Sequence, residues 1–268
     1  MKVYSLSGPS GTGKSTSALQ FAYDKGIEGI IDDGLFILHG KKQAGISAKF
    51  EKNTLTAVRR AIFEDPAHRQ EVQAAIQKVQ PSSILIIGTS DKMTKKIAEQ
   101  LELGPITQFY QVQHIRSPRE IQIARFIRQT KGQHVMPIPY EQVEQNFFKR
   151  LVRKGRAIFV NNRVKVGETT IVQPDFHYET ITIHKQVYRD VLLHVMSKSP
   201  IITQVEKLAF NVATMPKITV NIILKASIHT NIIEELQGLQ QEIATAFVQT
   251  FELEPEYIHF TIKGLKLI

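Results

Sequence analysis

Gly8-Pro9-Ser10-Gly11-Thr12-Gly13-Lys14-Ser15 follows Lys2-Val3-Tyr4-Ser5-Leu6 and leads into Thr16-Ser17-Ala18-Leu19-Gln20-Phe21-Ala22. This stretch decides how the rest of the chain reads. It fits the pattern G-x-x-x-x-G-K-[ST] in full, placed between a strand-like apolar run and a helical one. Glycines at these positions let the backbone curl until its N–H groups converge on phosphate oxygens. The helix expected from Ser15 to Asp24 adds the positive end of its dipole. Lys14 is suited to the outer phosphates and the Ser15 hydroxyl to magnesium. Gly8, Ser10, Gly11, Thr12, Gly13, Lys14, Ser15 and Thr16 are therefore the expected nucleotide contacts, and ATP and Mg2+ the expected cofactors.

Outward from this loop, the first half alternates short apolar runs with helical patterns, the signature of βαβ units and a parallel sheet. Gly29–Ile31 reads as a second strand ending at Asp32 and Asp33. Helical stretches follow at Leu55–Phe63 and Arg69–Val79. Ile84–Ile87 is continuously apolar, as in a strand buried on both faces. A helix at Lys92–Leu101, a strand at Ile106–Val112 and a helix at Arg119–Arg128 complete the series. The expected fold class is α/β, a three-layer parallel-sheet P-loop NTPase domain over residues 1–160. A small α+β domain is expected over 161–268.

In that second part Thr180–His184 is a strand candidate and Val187–Met196 a helix. Gln204–Val212 and Ile218–Ala226 read as a strand pair. A long helix follows Asn231, with Glu234 as capping partner. Tyr257–Lys263 is a closing strand.

The bulk numbers narrow the function classes. The chain has 268 residues, no cysteine and a formal net charge of +9. Disulfides and thiolate metal sites are excluded, and a cytoplasmic setting is the simplest expectation. The loop begins so early that no signal peptide is expected before it. No apolar run approaches membrane-spanning length. Residues 1–150 hold 21 Lys+Arg against 14 Asp+Glu, and residues 151–268 hold 13 against 11. The excess suits a polyanion such as a nucleotide. Nucleic acid is not expected, because no aromatic-basic signature accompanies the charge. The cluster Lys149, Arg150, Arg153, Lys154 and Arg156 reads as a solvated helix end and linker. His184, His229 and His259 lack metal-ligand spacing and read as structural.

The chain lacks the Asn-Lys-x-Asp guanine signature of GTPases; Thr89-Ser90-Asp91-Lys92 only approximates it. Asp32-Asp33 follows the loop at the next strand end, closer than the acidic pair of AAA-type ATPases. With Ile84-Leu85-Ile86-Ile87-Gly88-Thr89-Ser90 and the arginines Arg119, Arg125 and Arg128, residues 1–135 resemble small-molecule kinases of the shikimate- and gluconate-kinase type. Segment 40–70 has no counterpart in that resemblance.

The resemblance implies an ATP-dependent phosphotransferase acting on an unidentified small acceptor. Lys14, Asp32, Asp33, Arg125 and Arg128 would be catalytic, and Ser15 and Asp32 would serve the metal. Asp32 would hold magnesium through water and Asp33 take the acceptor's proton, or the roles swap. Arg116 or Arg119 would join the lid arginines, and Arg59 and Arg60 are candidates for an anionic acceptor. The alternative is a nucleotide-dependent regulatory or scaffold protein with little turnover. The second part is similar to the alkaline-shock-protein family of bacterial cytoplasmic domains, which implies an interaction module for a protein partner.

Overall fold

The computed structural model describes residues 1–143, 153–159, 165–172, 181–211 and 216–268. The chain divides into two compact units, Met1–Thr180 and Ile181–Ile268.

In the first unit, β1 (Lys2–Ser7) runs into the glycine-rich loop and α1 (Lys14–Asp24). Next come β2 (Gly29–Asp32), β3 (Leu35–Leu38) and β4 (Lys41–Gly45). Helices α2 (Thr54–Ala61) and α3 (Pro66–Val79) precede β5 (Ser83–Gly88). Helix α4 (Asp91–Gln100), β6 (Gln108–Gln111) and α5 (Pro118–Lys131) complete the series. The central sheet has the order β4-β3-β2-β5-β1-β6. It is mixed and mostly parallel: β1 pairs β5 and β6, and β2 pairs β5, all in parallel. The expectation of a purely parallel sheet is corrected by β3 and β4, which extend it antiparallel from β2.

The correction has a local cause. Asp33-Gly34 joins β2 to β3 and His39-Gly40 joins β3 to β4, and all four residues have positive φ. Two-residue hairpins of this twist demand positive φ at both central positions, and Asp-Gly meets that demand well. Two hairpins thus occupy chain that the kinase resemblance leaves unassigned.

Side-chain alternation splits the core between the two sheet faces. On one face Leu85 and Ile87 of β5 pack with Leu6, Ile30 and the α1 residues Ala18, Leu19 and Ala22. On the other, Ile84 and Ile86 pack with Val3, Ile31, Val72 and Ile76 of α3, and Ile97 of α4. Every β5 residue is buried. Truncating one of these isoleucines to Ala should cost about 2–5 kcal/mol.

The domain boundary differs from the expected 160. A small sheet of β7 (His134–Met136), β8 (Arg153–Phe159) and β9 (Lys165–Val172) has the order β7-β9-β8 and belongs to the first unit. β9 supplies the ladder for β7, and Thr170 Oγ1 donates to the Ile138 carbonyl at 2.7 Å. Arg153, Lys154 and Arg156 fall on β8, while Lys149 and Arg150 lie outside the described residues.

The second unit contains α6 (Lys185–Ser197), β10 (Ile202–Asn211), β11 (Lys217–Ala226), α7 (Ile232–Phe251) and β12 (Tyr257–Leu267). Its sheet runs β10-β11-β12, with β12 parallel to β11. Ile218, Val220, Ile222 and Leu224 alternate into the buried side, as their spacing requires. Tyr188 of α6 packs 4.5 Å from Phe251 of α7, ring centre to ring centre. Asn231 caps α7 by accepting from the Glu234 N–H. The strand expected at Thr180–His184 is absent over its described part, Ile181–His184. There His184 caps α6 instead, its Nδ1 accepting from the Gln186 N–H at 3.3 Å. Among the described residues no helix is long and apolar enough to cross a membrane.

Candidate functional site

The loop lies where β1 ends in mid-sheet. Gly11 and Gly13 have φ of 80° and 82°, in the left-handed region that favours glycine. Gly13 caps α1, and the first intrahelical bond is Ser17 N–H to the Gly13 carbonyl. Helix geometry therefore leaves the N–H groups of Lys14, Ser15 and Thr16 without an acceptor inside the helix. Lys14 folds back over the loop, its Nζ donating to the carbonyls of Gly8 at 2.7 Å and Pro9 at 2.8 Å. Burial lowers its pKa to about 8, against the opposing pull of Asp32 and Asp33.

Two arginines from the β6–α5 region close over the glycines. Arg116 Nη1 donates to the Gly13 carbonyl at 3.3 Å, and a Cβ at Gly13 would lie 1.6 Å from that nitrogen. Its Nε is buried and, among the described residues, has no hydrogen-bond partner. Arg128 lays its Cδ 3.0 Å from where a Gly11 Cβ would stand, and Arg125 approaches the same point through its Cγ at 3.9 Å. Ser117 starts α5 with a capping box to Glu120, which fixes the helix entry. Sequence reasoning named Arg116 only as an alternative to Arg119, yet Arg116 is the one that packs on the loop.

Asp32 and Asp33 reach the same place from the end of β2. The Ser15 hydroxyl bonds Asp32. Between the two acids stands Lys49, which sequence reasoning missed. Its Nζ is 2.7 Å from Asp33 Oδ2 and 3.4 Å from Asp32 Oδ2, and its side chain is 6% exposed. Ser47 caps the short turn Ala48–Phe50, and the Ala48 N–H donates to the Asp33 carbonyl at 2.7 Å. That backbone bond holds Lys49 beside the acids. Burial pushes the Asp32 carboxyl above its ordinary pKa, with Lys49 pulling the other way. For Asp33 burial acts in the same upward sense, but Lys49, Arg128 and Lys14 outweigh it and hold the carboxyl below its usual range. Burial would likewise lower Lys49, and the two carboxylates reverse that.

A third acid stands just beyond the end of β5. Ser7 Oγ and Gln111 Nε2 both donate to Asp91 Oδ1, at 2.5 and 3.2 Å. Asp91 thereby ties the ends of β1 and β6 together beside the loop.

The loop, the two acids and Lys49 line one cavity of about 560 Å³, within the range of small-molecule sites; Arg125 and Asp91 are not among its lining residues. Ser10, Gly11, Gly13, Lys14, Ser15 and Thr16 contribute to its lining, as do Asp32, Asp33 and Lys49. Arg116 and Arg128 also line it. Arg59 and Arg60 are placed elsewhere, which corrects the anionic-acceptor expectation. Arg59 pairs with Glu64, and Arg60 with Glu51 and Asp65, around a separate surface pocket.

No family model and no curated protein matches this chain. Among solved structures it is similar to a single-residue variant of MamM-CTD at 12% identity, over 31% of this chain and 100% of that one. The TM-score of 0.23 is too low to carry an argument about fold or function. Among the described residues no group of three or more His, Cys, Asp or Glu side chains could hold a metal alone.

Proposed function

We propose that the first unit is a P-loop domain that binds a magnesium nucleoside triphosphate and transfers its terminal phosphoryl group to a small acceptor. The observation that carries this is the convergence of Lys14, Arg116, Arg128 and the Asp32–Lys49–Asp33 group on a single cavity. The cradle fits a phosphate chain: its glycines admit the arginines where side chains would collide, and its helix-start N–H groups are open to an anion.

Bound magnesium triphosphate would supply the phosphoryl group and neutralise part of its charge. Lys14 would exchange its loop carbonyls for phosphate oxygens. The Ser15 hydroxyl would hold the metal, with Asp32 orienting it by hydrogen bond. Arg116 and Arg128 would stabilise the charge of the moving group, the main demand of phosphoryl transfer. Asp33, a third exposed to the cavity, would position the acceptor hydroxyl.

A second reading, a nucleotide-dependent regulatory protein with little turnover, is favoured by Lys49. It pairs with both acids and makes Asp33 a weak base. The test is calorimetry with magnesium ATP and GTP, followed by nucleoside-diphosphate release across a panel of hydroxyl compounds. Asp33→Asn should keep nucleotide affinity and lose acceptor-dependent release. Nucleotide binding without release for any acceptor would select the regulatory reading. No nucleotide binding would remove both.

A further inference from the structure

The part of the cavity wall formed by helix α2 bears on the class of acceptor. Helix α2 presents Thr54, Ala57, Val58 and Ala61 to the cavity, a spacing of three, four and seven residues that places them on one helix face. Met93 adds to this wall, packing against Ala57 and Ala61. Ala57 and Ala61 are small and buried, so space remains in front of them; Val58 is 48% exposed. The arginines of the same helix point to other partners, Arg59 to Glu64 and Arg60 to Glu51 and Asp65.

The cations in the cavity are already committed. Lys14, Arg116 and Arg128 stand at the loop, where a triphosphate would occupy them. Lys49 is bound to two carboxylates, so that group carries a net negative charge. An anionic acceptor would meet an apolar wall and a net negative group, and a charge buried without a partner is strongly disfavoured.

We propose that the acceptor is an uncharged small molecule with a compact apolar body and a hydroxyl group. Its body packs on the α2 wall and its hydroxyl reaches Asp33. This rests on the phosphotransferase reading above. In the transfer, the acceptor oxygen forms a bond to the terminal phosphorus. The bond from that phosphorus to the bridging oxygen breaks, and the nucleoside diphosphate leaves. Asp33 accepts a hydrogen bond from the hydroxyl and positions it, and the hydroxyl proton passes to an oxygen of the transferred phosphoryl group and on to solvent.

The test uses matched pairs on the full chain: benzyl alcohol against hydroxymethylbenzoate, and cyclohexylmethanol against hydroxymethylcyclohexanecarboxylate. Binding is read by saturation-transfer NMR with magnesium and a non-hydrolysable ATP analogue, whose own affinity is measured by calorimetry. The neutral members should bind at least about ten-fold tighter. Val58→Lys, at a half-exposed position away from the nucleotide contacts, should reverse that order without changing analogue affinity. Carboxylates binding equally well, no member binding, or an order unmoved by Val58→Lys would each overturn the proposal. Failure of the analogue itself to bind would instead overturn the phosphotransferase reading and this inference with it.

Discussion

Lys49 and Asp33 form an ion pair of 2.7 Å inside the cavity, although one comes from a short turn and the other from a hairpin tip. The pair changes the chemistry expected of the acidic dipeptide. Two adjacent carboxylates alone would repel each other and compete for protons. With Lys49 between them both can stay ionised, and Asp33 becomes a positioning acid more than a proton acceptor.

Replacing Lys49 with Met should therefore be costly. It leaves two carboxylates without their cation, a change that destabilises by about 3–5 kcal/mol at buried pairs. Without Lys49 both carboxyls titrate higher. The deficit is then largest above the raised values and shrinks as pH falls through them, where protonation removes the unpaired charge. Urea unfolding at pH 7 and pH 5 checks this. An equal deficit at both values would show that Lys49 acts through packing.

Lys14→Ala should weaken triphosphate binding roughly ten- to a hundred-fold, since a charge-assisted hydrogen bond contributes about 1.5–3 kcal/mol. The wild-type affinity should also fall as pH rises through about 8, where free Lys14 loses its proton. Binding an anion favours the charged form, so nucleotide binding above that pH takes up a proton. Calorimetry in buffers of different ionisation enthalpy measures the uptake. The Lys14→Ala variant should show none from this group.

Gly13→Ala should harm both stability and binding. A left-handed conformation costs a non-glycine residue about 1–2 kcal/mol. The added methyl also meets Arg116 Nη1 at 1.6 Å and its Cζ at 2.8 Å. Adding Arg116→Ala should remove the collision and leave the backbone cost. The double variant should then melt above Gly13→Ala alone, while nucleotide affinity stays low because Arg116 is gone. Equal melting temperatures would show that Arg116 simply swings aside.

Fragment 1–180 should fold and bind nucleotide, and fragment 181–268 should fold and bind none. Fragment 1–160 should be less stable than 1–180, because it lacks β9, the strand on which β7 pairs. Circular dichroism melts and titration of each piece with magnesium ATP provide the comparison. A 1–160 piece as stable as 1–180 would place the boundary where composition alone suggested it.

Much of the architecture was legible because its causes are local. Alternating apolar runs announced β1, β2, β5 and β6. Continuous apolarity told that β5 is buried on both faces. Asn231 and Glu234 marked the start of α7. The hairpins at Asp33-Gly34 and His39-Gly40 also have a local signal, a glycine at each second turn position, and Asp33 serves both the turn and the cavity. The strand expected at Thr180–His184 had β-branched residues in its favour. Among the described residues no strand pairs with Ile181–His184, and a lone strand has nowhere to place its backbone hydrogen bonds.

The sequence by itself determined where the loop lies and how its backbone turns into α1. Gly8 to Ser15 carries its meaning in spacing alone, since backbone curl, helix start and lysine all lie within one short segment. Only the tertiary structure decided which distant charges meet there. Lys49, Arg59 and Arg60 are all basic residues in or near α2, and nothing in their neighbours ranks them. Two hairpins and one hydrogen bond from Ala48 to Asp33 bring Lys49 inside, while helical phase turns Arg59 and Arg60 out to Glu64, Glu51 and Asp65. A charge finds its partner through the path of the backbone, and that path is closed by contacts far apart in the chain.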